Sequence, residues 1–153
     1  MKKILFAILI LTISLFVNCK KDTSAQQQEQ IDLTNYLTTN KITVAPTADG
    51  LYFIRQKTGV GKKCVNGDTI SVNYVGRLIN GTIFDQTTTT PFTFQLGVDQ
   101  LIQGFQEGIS MMYGGDTALL IIPSSIGYGG TAVSSSIPAY STLIFTVQIV
   151  STK

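Results

Sequence analysis

An alternating strand pattern followed directly by a hairpin-turn signal constrains the fold of this chain more than any other feature. Over residues 68–78, polar residues alternate with the apolar or aromatic residues Ile70, Val72 and Tyr74. This period of two is typical of a strand with one buried face. Asn80-Gly81 follows directly, and because both residues tolerate positive φ, the pair predicts a type I′ hairpin turn. The sequence therefore predicts an antiparallel sheet.

Most of the remaining signals downstream also indicate strands. They are Leu51–Ile54, Ile83–Asp85, Phe92–Phe94, Thr117–Ile122 and Leu143–Val150. A single helix is indicated over Asp99–Met112, where apolar residues recur at spacings of three and four. Gly104 and Gly108 lie inside it, and each costs about 1 kcal/mol relative to Ala. The sequence thus predicts an α+β domain over residues 49–153, in which a curved antiparallel sheet of about five strands wraps around one short helix.

The first eighteen residues have the pattern of an export signal. Lys2 and Lys3 precede an apolar run, Ile4–Val17, that is shorter than the ~20 residues a membrane-spanning helix needs. Cys19 follows almost at once, and the arrangement resembles a bacterial lipoprotein signal. We expect residues 1–18 to be a signal peptide and Cys19 to carry the lipid that anchors an extracytoplasmic protein to a membrane. The alternative is a simple secretory signal that is cleaved nearby.

The segment after Cys19 leads to the main domain in two steps. Residues 19–30 are polar and predict a flexible tether. Residues 31–48 predict a short helix that packs on the domain, followed by a turn-rich segment, with Asp32 as the helix N-cap. The helical spacing is carried by Leu33, Tyr36 and Leu37. A helix of this length is too short for a dimerisation arm, so we expect a monomer.

Composition excludes several classes of function. The chain contains no histidine, which excludes Ser-His and Cys-His nucleophilic catalysis and most zinc sites. We expect neither a metal nor another cofactor. Of 11 basic and 9 acidic residues, two basic ones lie in the predicted signal peptide, which leaves nine of each. Nucleic acid is therefore not an expected partner. Cys64 would have no disulfide partner and is expected to be a small apolar filler at the edge of a strand.

Four stretches of the sequence, taken in order, resemble the FKBP-type peptidyl-prolyl cis/trans isomerase family. They are Val72–Gly76 with Phe84-Asp85, Pro91-Phe92 with Leu101–Gly108, Ile122-Pro123 with Gly127–Gly129, and Ile137-Pro138 with Leu143–Ile149. The resemblance implies an FKBP-like fold and a pocket for a proline ring, with Phe105 as its floor. The implied walls are Tyr74, Phe84, Phe92, Leu101, Ile102, Ile137 and Phe145. The implied catalytic residues are Tyr128 and Asp85. Family members often carry a basic residue shortly after this aspartate, but Gln86–Thr90 supplies none, so the group that orients Asp85 stays open.

The resemblance implies an activity that needs no nucleophile. Rotation about a peptide C–N bond has a barrier of ~18–20 kcal/mol, and the twisted amide is less polar than either planar form. An apolar pocket that removes water from the amide would favour the twisted state. Implied partners are proline-containing segments of exported proteins, and macrolide inhibitors of the family would compete with them. The alternative is a binding module that holds proline-containing or unfolded chains with little turnover.

Overall fold

The computed structural model describes residues 20–153, with side chains described from residue 24 onward. The predicted signal peptide and Cys19 lie outside these residues. The elements in chain order are α1 (Lys20–Thr39), β1 (Tyr52–Lys57), β2 (Thr69–Leu78), β3 (Ile83–Gln86), β4 (Phe92–Gln95), α2 (Gln103–Ser110), β5 (Thr117–Ile122) and β6 (Leu143–Thr152), with a 3₁₀ turn at Ser124–Ile126 between the last two strands.

All six strands belong to one antiparallel sheet. Its order is β1-β5-β6-β2-β3, and β4 pairs with β2 beyond the end of β3. Strand β6 is central, because it pairs with β5 on one side and with nearly all of β2 on the other. The predicted α+β class and curved antiparallel sheet are confirmed, with one strand more than the expected five.

The β2–β3 connection differs from the predicted type I′ turn. The amide of Leu78 donates to the carbonyl of Thr82, and the amide of Gly81 donates to that of Leu78, each at 2.9 Å. Only Gly81 has a positive φ, +89°, whereas a type I′ turn also needs one at Asn80. The loop is therefore a three-residue connection that ends on a left-handed glycine. The Asn80 side chain instead accepts a hydrogen bond from the Thr82 amide at 3.0 Å.

Helix α2 lies on one face of the sheet, here called the inner face. The main core lies between them, and β6 contributes Leu143, Phe145, Val147 and Ile149 to it. Gly104 and Gly108 allow the close approach, because a Cβ at either position would lie 2.6 Å from a side chain of β5. Their local cost to the helix is thus offset by contact with the sheet. The helix is shorter than the predicted Asp99–Met112.

Helix α1 covers the opposite, outer face of the sheet. Leu33 is 3% exposed and forms a second buried cluster with Ile121 and Ile144. Burial of one such leucine contributes roughly 1.5–3 kcal/mol. This contact matches the predicted packing of a short helix on the domain.

The same helix extends further toward the N-terminus than the sequence predicted. It begins at Lys20, so residues 20–30 are helical rather than a flexible tether, and Asp32 lies inside the helix rather than at its N-cap. The extension is rich in Gln and Lys, which favour helix, but it has no apolar stripe to reveal it. Within residues 20–153, no helix is apolar enough over sufficient length to cross a bilayer.

Candidate functional site

A cleft of about 440 Å³ opens on the inner side of the sheet. Strands β2, β3, β4 and β6, the start of α2 and the β5–β6 connection all contribute to its wall. The lining residues are Tyr74, Phe84, Asp85, Phe92, Gln100, Leu101, Ile102, Phe105, Tyr128 and Phe145. Five of the six aromatic side chains come from the sheet and α2, so the packing of the core fixes the shape of the cleft.

The aromatic rings pack against one another, mostly edge to face. Phe145 lies at the centre, with its ring centroid 5.2 Å from that of Phe105, 5.4 Å from that of Phe84 and 5.8 Å from that of Tyr74. Phe105 and Phe145 are only 5% and 6% exposed, so they form the floor. Phe92, at the rim, is 37% exposed and packs edge-on against Tyr74. Each such ring pair contributes about 0.5–1.5 kcal/mol beyond the area it buries.

A glycine in the middle of β2 makes room for two of these rings. Gly76 pairs with Asp85 on one side and with Phe145 on the other. A Cβ on Gly76 would lie 2.7 Å from Phe84 Cζ and 2.9 Å from Phe145 Cε1. The absence of a side chain at this position therefore lets both rings lie against the backbone. Gly76 belongs to the quoted motif, but no role was predicted for it.

The structure identifies two groups that hold Asp85 in place. The Tyr74 hydroxyl donates a short hydrogen bond to Asp85 Oδ2, and the Gln86 amide donates to Oδ1 at 2.8 Å. Burial, and then the hydrogen bond to Asp85, raise the pKa of Tyr74 well above its usual value. The phenol therefore stays protonated at neutral pH and remains a donor. No basic partner is needed to orient Asp85, although the carboxylate itself is exposed.

Tyr128 lines the cleft from the β5–β6 connection and is 39% exposed. Among the described residues, no group is hydrogen-bonded to its hydroxyl. Gly127 and Gly129 flank it, and Gly129 has a φ of +63° that favours glycine. The structure thus presents a phenol at the cleft with its hydrogen-bonding capacity unused within the described chain.

Most of the residues predicted from sequence lie together around this cleft. Leu101 and Ile102 line it just before α2 begins. Ile137 does not: it is 6% exposed and belongs to the inner core, and backbone hydrogen bonds tie it to Val133 and Ser134. Gln100 lines the cleft but was not predicted, because a polar residue before a helix carries no distinctive signal.

Cys64 lies in the core, away from the cleft. It is 1% exposed, and burial raises the pKa of its thiol. Its Sγ lies 3.6 Å from the Thr152 hydroxyl. Cys64 is thus a small buried side chain next to the isolated bridge between Lys63 and Tyr113, as expected of an apolar filler, although it is not itself in a strand. Among the side chains described, from residue 24 onward, no group of three or more potential metal ligands comes together.

Comparisons with known proteins agree with this geometry. A family model described as FKBP-type peptidyl-prolyl cis-trans isomerase matches residues 61–150. The chain is 42% identical over 102 residues to an FK506-binding protein of Neisseria meningitidis serogroup B, a match that covers 65% of this chain and 94% of that protein.

Longer relatives contain only a part that corresponds to this chain. FK506-binding protein 4 of Dictyostelium discoideum is 36% identical over 113 residues, which is 74% of this chain and 30% of that protein. The chain spans less than a third of the length of the first curated relatives it matches. Among solved structures, a peptidyl-prolyl cis-trans isomerase of Pseudomonas syringae pv. tomato superposes with a TM-score of 0.76 at 29% identity, over 89% of this chain and 98% of that one.

Proposed function

Because this chain belongs to the FKBP-type peptidyl-prolyl cis-trans isomerase family, we propose that it accelerates rotation about X–Pro peptide bonds in exported proteins and so assists their folding. One observation carries the proposal: an aromatic cleft of about 440 Å³, with a carboxylate at its wall and a phenol that no described residue hydrogen-bonds. The pyrrolidine ring of proline is apolar and rigid, and it suits a cleft whose floor is made of Phe105 and Phe145.

The proposed mechanism relies on desolvation and shape. Planar amides are stabilised by charge separation, which is lost when the C–N bond twists. Transfer of the amide from water into the apolar cleft therefore disfavours the planar forms more than the twisted one. The Tyr128 hydroxyl donates to a substrate carbonyl and holds the peptide in register. Asp85, held by Tyr74, lies beside the rotating amide. No covalent bond forms or breaks.

The direct test is the cis-to-trans rate of an Ala-Leu-Pro-Phe peptide, measured by NMR exchange or by a protease-coupled assay. We expect the full chain to accelerate a process that otherwise takes tens to hundreds of seconds. An exchange rate equal to the uncatalysed one would exclude the proposed activity. Peptide binding without acceleration would leave only a binding module.

Two matched pairs of variants test the proposed site. Tyr128→Phe should lower kcat/KM about three- to tenfold, the value of one lost hydrogen bond. Tyr113→Phe is its control, because Tyr113 is 38% exposed and does not line the cleft. Phe105→Leu should lower turnover, whereas Phe94→Leu, at a neighbouring ring that is 3% exposed and outside the lining, should cost stability alone. Equal losses of turnover by the two variants of either pair would contradict the assignment of Tyr128 or Phe105 to the site.

Asp85→Leu tests the second polar member of the site. It removes the carboxylate that the Tyr74 hydroxyl contacts, and we expect a lower turnover with little change in stability, because the side chain is exposed. The macrolide FK506, from which the relatives take their name, should compete with the peptide. Failure of the macrolide to compete would argue against a shared site.

We also propose that Cys19 is lipidated and anchors the domain outside the cytoplasm. The support is the sequence pattern of Lys2-Lys3, the apolar run Ile4–Val17 and the cysteine that follows. Several acyl chains would anchor stably, because each buried CH₂ contributes ~0.8 kcal/mol. Labelling with palmitate should mark the native chain and fail with Cys19→Ala. Unchanged membrane association of that variant would defeat the proposal.

A further inference from the structure

Residues 123–142 connect β5 to β6 without an α-helix or a strand, and they bring Tyr128 to the cleft. Connections of this length commonly serve a function and need support from elsewhere in the fold. Here part of the support comes from the opposite side of the sheet, from the carboxylate of Glu29 on helix α1.

Glu29 binds both ends of the connection. Its Oε1 accepts hydrogen bonds from the Ser124 amide at 2.7 Å and from the Thr142 hydroxyl at 2.8 Å, and its Oε2 accepts one from the Ser124 hydroxyl. Ser124 and Thr142 are each 4% exposed, so their polar groups require partners within the protein. Hydrogen bonds to a carboxylate are roughly twice as strong as those between neutral groups. One side chain thus fixes the start and the end of the connection together.

The hydrogen bonds continue from Ser124 to the residues around Tyr128. The Ser124 carbonyl accepts from the Gly127 amide at 2.9 Å and from the Gly129 amide at 2.8 Å, and these two glycines flank Tyr128. The Gly129 carbonyl in turn accepts from the Tyr140 amide at 2.9 Å. The backbone on both sides of Tyr128 is therefore held by the residue that Glu29 binds.

Tyr140 shows how tightly the connection is held. Its φ is +56°, a conformation that is uncommon for a bulky residue and that only a well-supported backbone maintains. Gly130 lies beside its ring, and a Cβ there would be 2.8 Å from the Tyr140 hydroxyl oxygen. The connection is thus folded against itself at Tyr140 while Glu29 fixes its ends.

We propose that Glu29 is a positioning residue that sets the place of the Tyr128 hydroxyl in the cleft. Helix α1 is then part of what makes the site active, although it covers the face of the sheet that is remote from the cleft. This inference rests on the proposed function, because it assigns Tyr128 a role in turnover. Small displacements of a group that contacts substrate have large effects on rate, which makes the contact measurable.

The first test uses the full chain and does not depend on turnover. Glu29→Gln keeps the size of the side chain but replaces one acceptor oxygen with a donor NH₂ group. Amide hydrogen exchange at Gly127 and Gly129 should become at least about tenfold faster, while exchange in β2 should not change. Gln30→Ala, an exposed neighbour on the same helix, is the control and should leave both unchanged. Unchanged exchange at the two glycines in Glu29→Gln would overturn the proposal, whether or not the protein is an active isomerase.

The second test is a double-mutant cycle on kcat/KM. Glu29→Gln should lower kcat/KM about five- to tenfold in the wild-type background but less than about twofold in Tyr128→Phe. Ser124→Ala, which removes one of the two Ser124 donors, should give a smaller loss. An equal loss in both backgrounds would show that Glu29 acts through general stability, and the positioning role would be wrong. A wild-type chain without turnover would instead refute the proposed function, and the exchange measurement would still decide the role of Glu29.

Discussion

Gly76→Ala adds a single methyl group at the point where the sheet meets the floor of the cleft. Two opposing effects decide its outcome. Alanine is favoured over glycine in a strand interior by roughly 0.5–1 kcal/mol, because less backbone entropy is lost on folding. Against this, the new methyl group would lie 2.7 Å from the Phe84 ring and 2.9 Å from the Phe145 ring. Both distances are well inside normal carbon–carbon contact.

The steric effect should win, because the Phe145 ring cannot easily move away. Phe145 is 6% exposed and lies between Phe84, Phe105 and Tyr74. Overpacking of this kind costs about 1–3 kcal/mol. Subtracting the gain from alanine leaves a range of about 0–2.5 kcal/mol, and we expect a net loss near its middle, about 1–2 kcal/mol. For a domain of this size, the melting temperature should fall by roughly 3–10 °C.

Thermal unfolding followed by circular dichroism measures the stability. Peptide turnover well below the melting temperature shows whether the cleft still works. We expect both to fall in Gly76→Ala, because the displaced rings are cleft walls. Phe84→Leu provides the control, because it removes the ring atoms nearest the new methyl group. The double variant should lose less stability than the sum of the two single losses. A neutral or stabilising Gly76→Ala, or strict additivity with Phe84→Leu, would refute the steric argument.

Three further predictions concern single polar groups. Tyr74→Phe removes the hydroxyl that holds Asp85 and should lower kcat/KM about three- to tenfold. Unchanged kinetics would show that this hydrogen bond does not matter for turnover. The Lys62 ammonium, 2.6 Å from Asp68, and then the Val65 amide lower the pKa of the Asp68 carboxyl below its usual 3.8. The stability that this carboxylate contributes is therefore complete above pH 3.8 and is lost as the pH falls through the lower pKa of the folded state. Asp68→Asn should therefore flatten the acid limb of a stability-against-pH curve, and an unaltered limb would contradict the ion pair. In a Cys19→Ser background, Cys64 should react with a thiol reagent at least about tenfold more slowly in the folded than in the unfolded protein, and equal rates would disprove its burial.

The inner half of the fold was predictable because its signals are local. Alternation along β2 shows which side chains face α2, and the turn residues that follow require a reversal of the chain. Even so, the turn type was wrong, because Asn-Gly fits both a type I′ turn and a loop in which Gly81 alone is left-handed. The sequence indicates only the local cost of the two glycines in α2, whereas the folded structure shows that they allow close contact with β5.

The length of α1 was not predictable, because its support is tertiary. Residues 20–30 contain good helix formers but no apolar stripe, and the bonds of Glu29 reach Ser124 and Thr142, which are distant in sequence. The run of apolar residues in β5 did contain a hint. Leu120 and Ile122 face the inner core, whereas Leu119 and Ile121 face the outer one, so the strand needs cover on both faces. A strand that is apolar on both faces predicts a second covering element.

The candidate site was predictable for side chains that have a single role, such as forming the wall. The aromatic walls follow from the resemblance because large rings occupy matching positions. The orientation of Asp85 was not predictable, since the donor is Tyr74, a residue already assigned to the wall. Gly76 was missed for a similar reason: its contribution is the space that it leaves, and a sequence motif does not show which rings fill that space.

The cleft and the proposed catalytic residue Tyr128 are held by two kinds of support, which should fail differently. The rings of Tyr74 and Phe145 belong to the sheet and its core, so a change that displaces them also loses packing, and turnover and stability should fall together. Tyr128 belongs to a connection that hydrogen bonds hold at its ends, and its side chain is 39% exposed. Weakening those bonds should therefore lower turnover more than stability. The ratio of the loss of turnover to the loss of stability thus distinguishes a residue that shapes the cleft, such as Gly76, from one that only positions a group in it, such as Glu29.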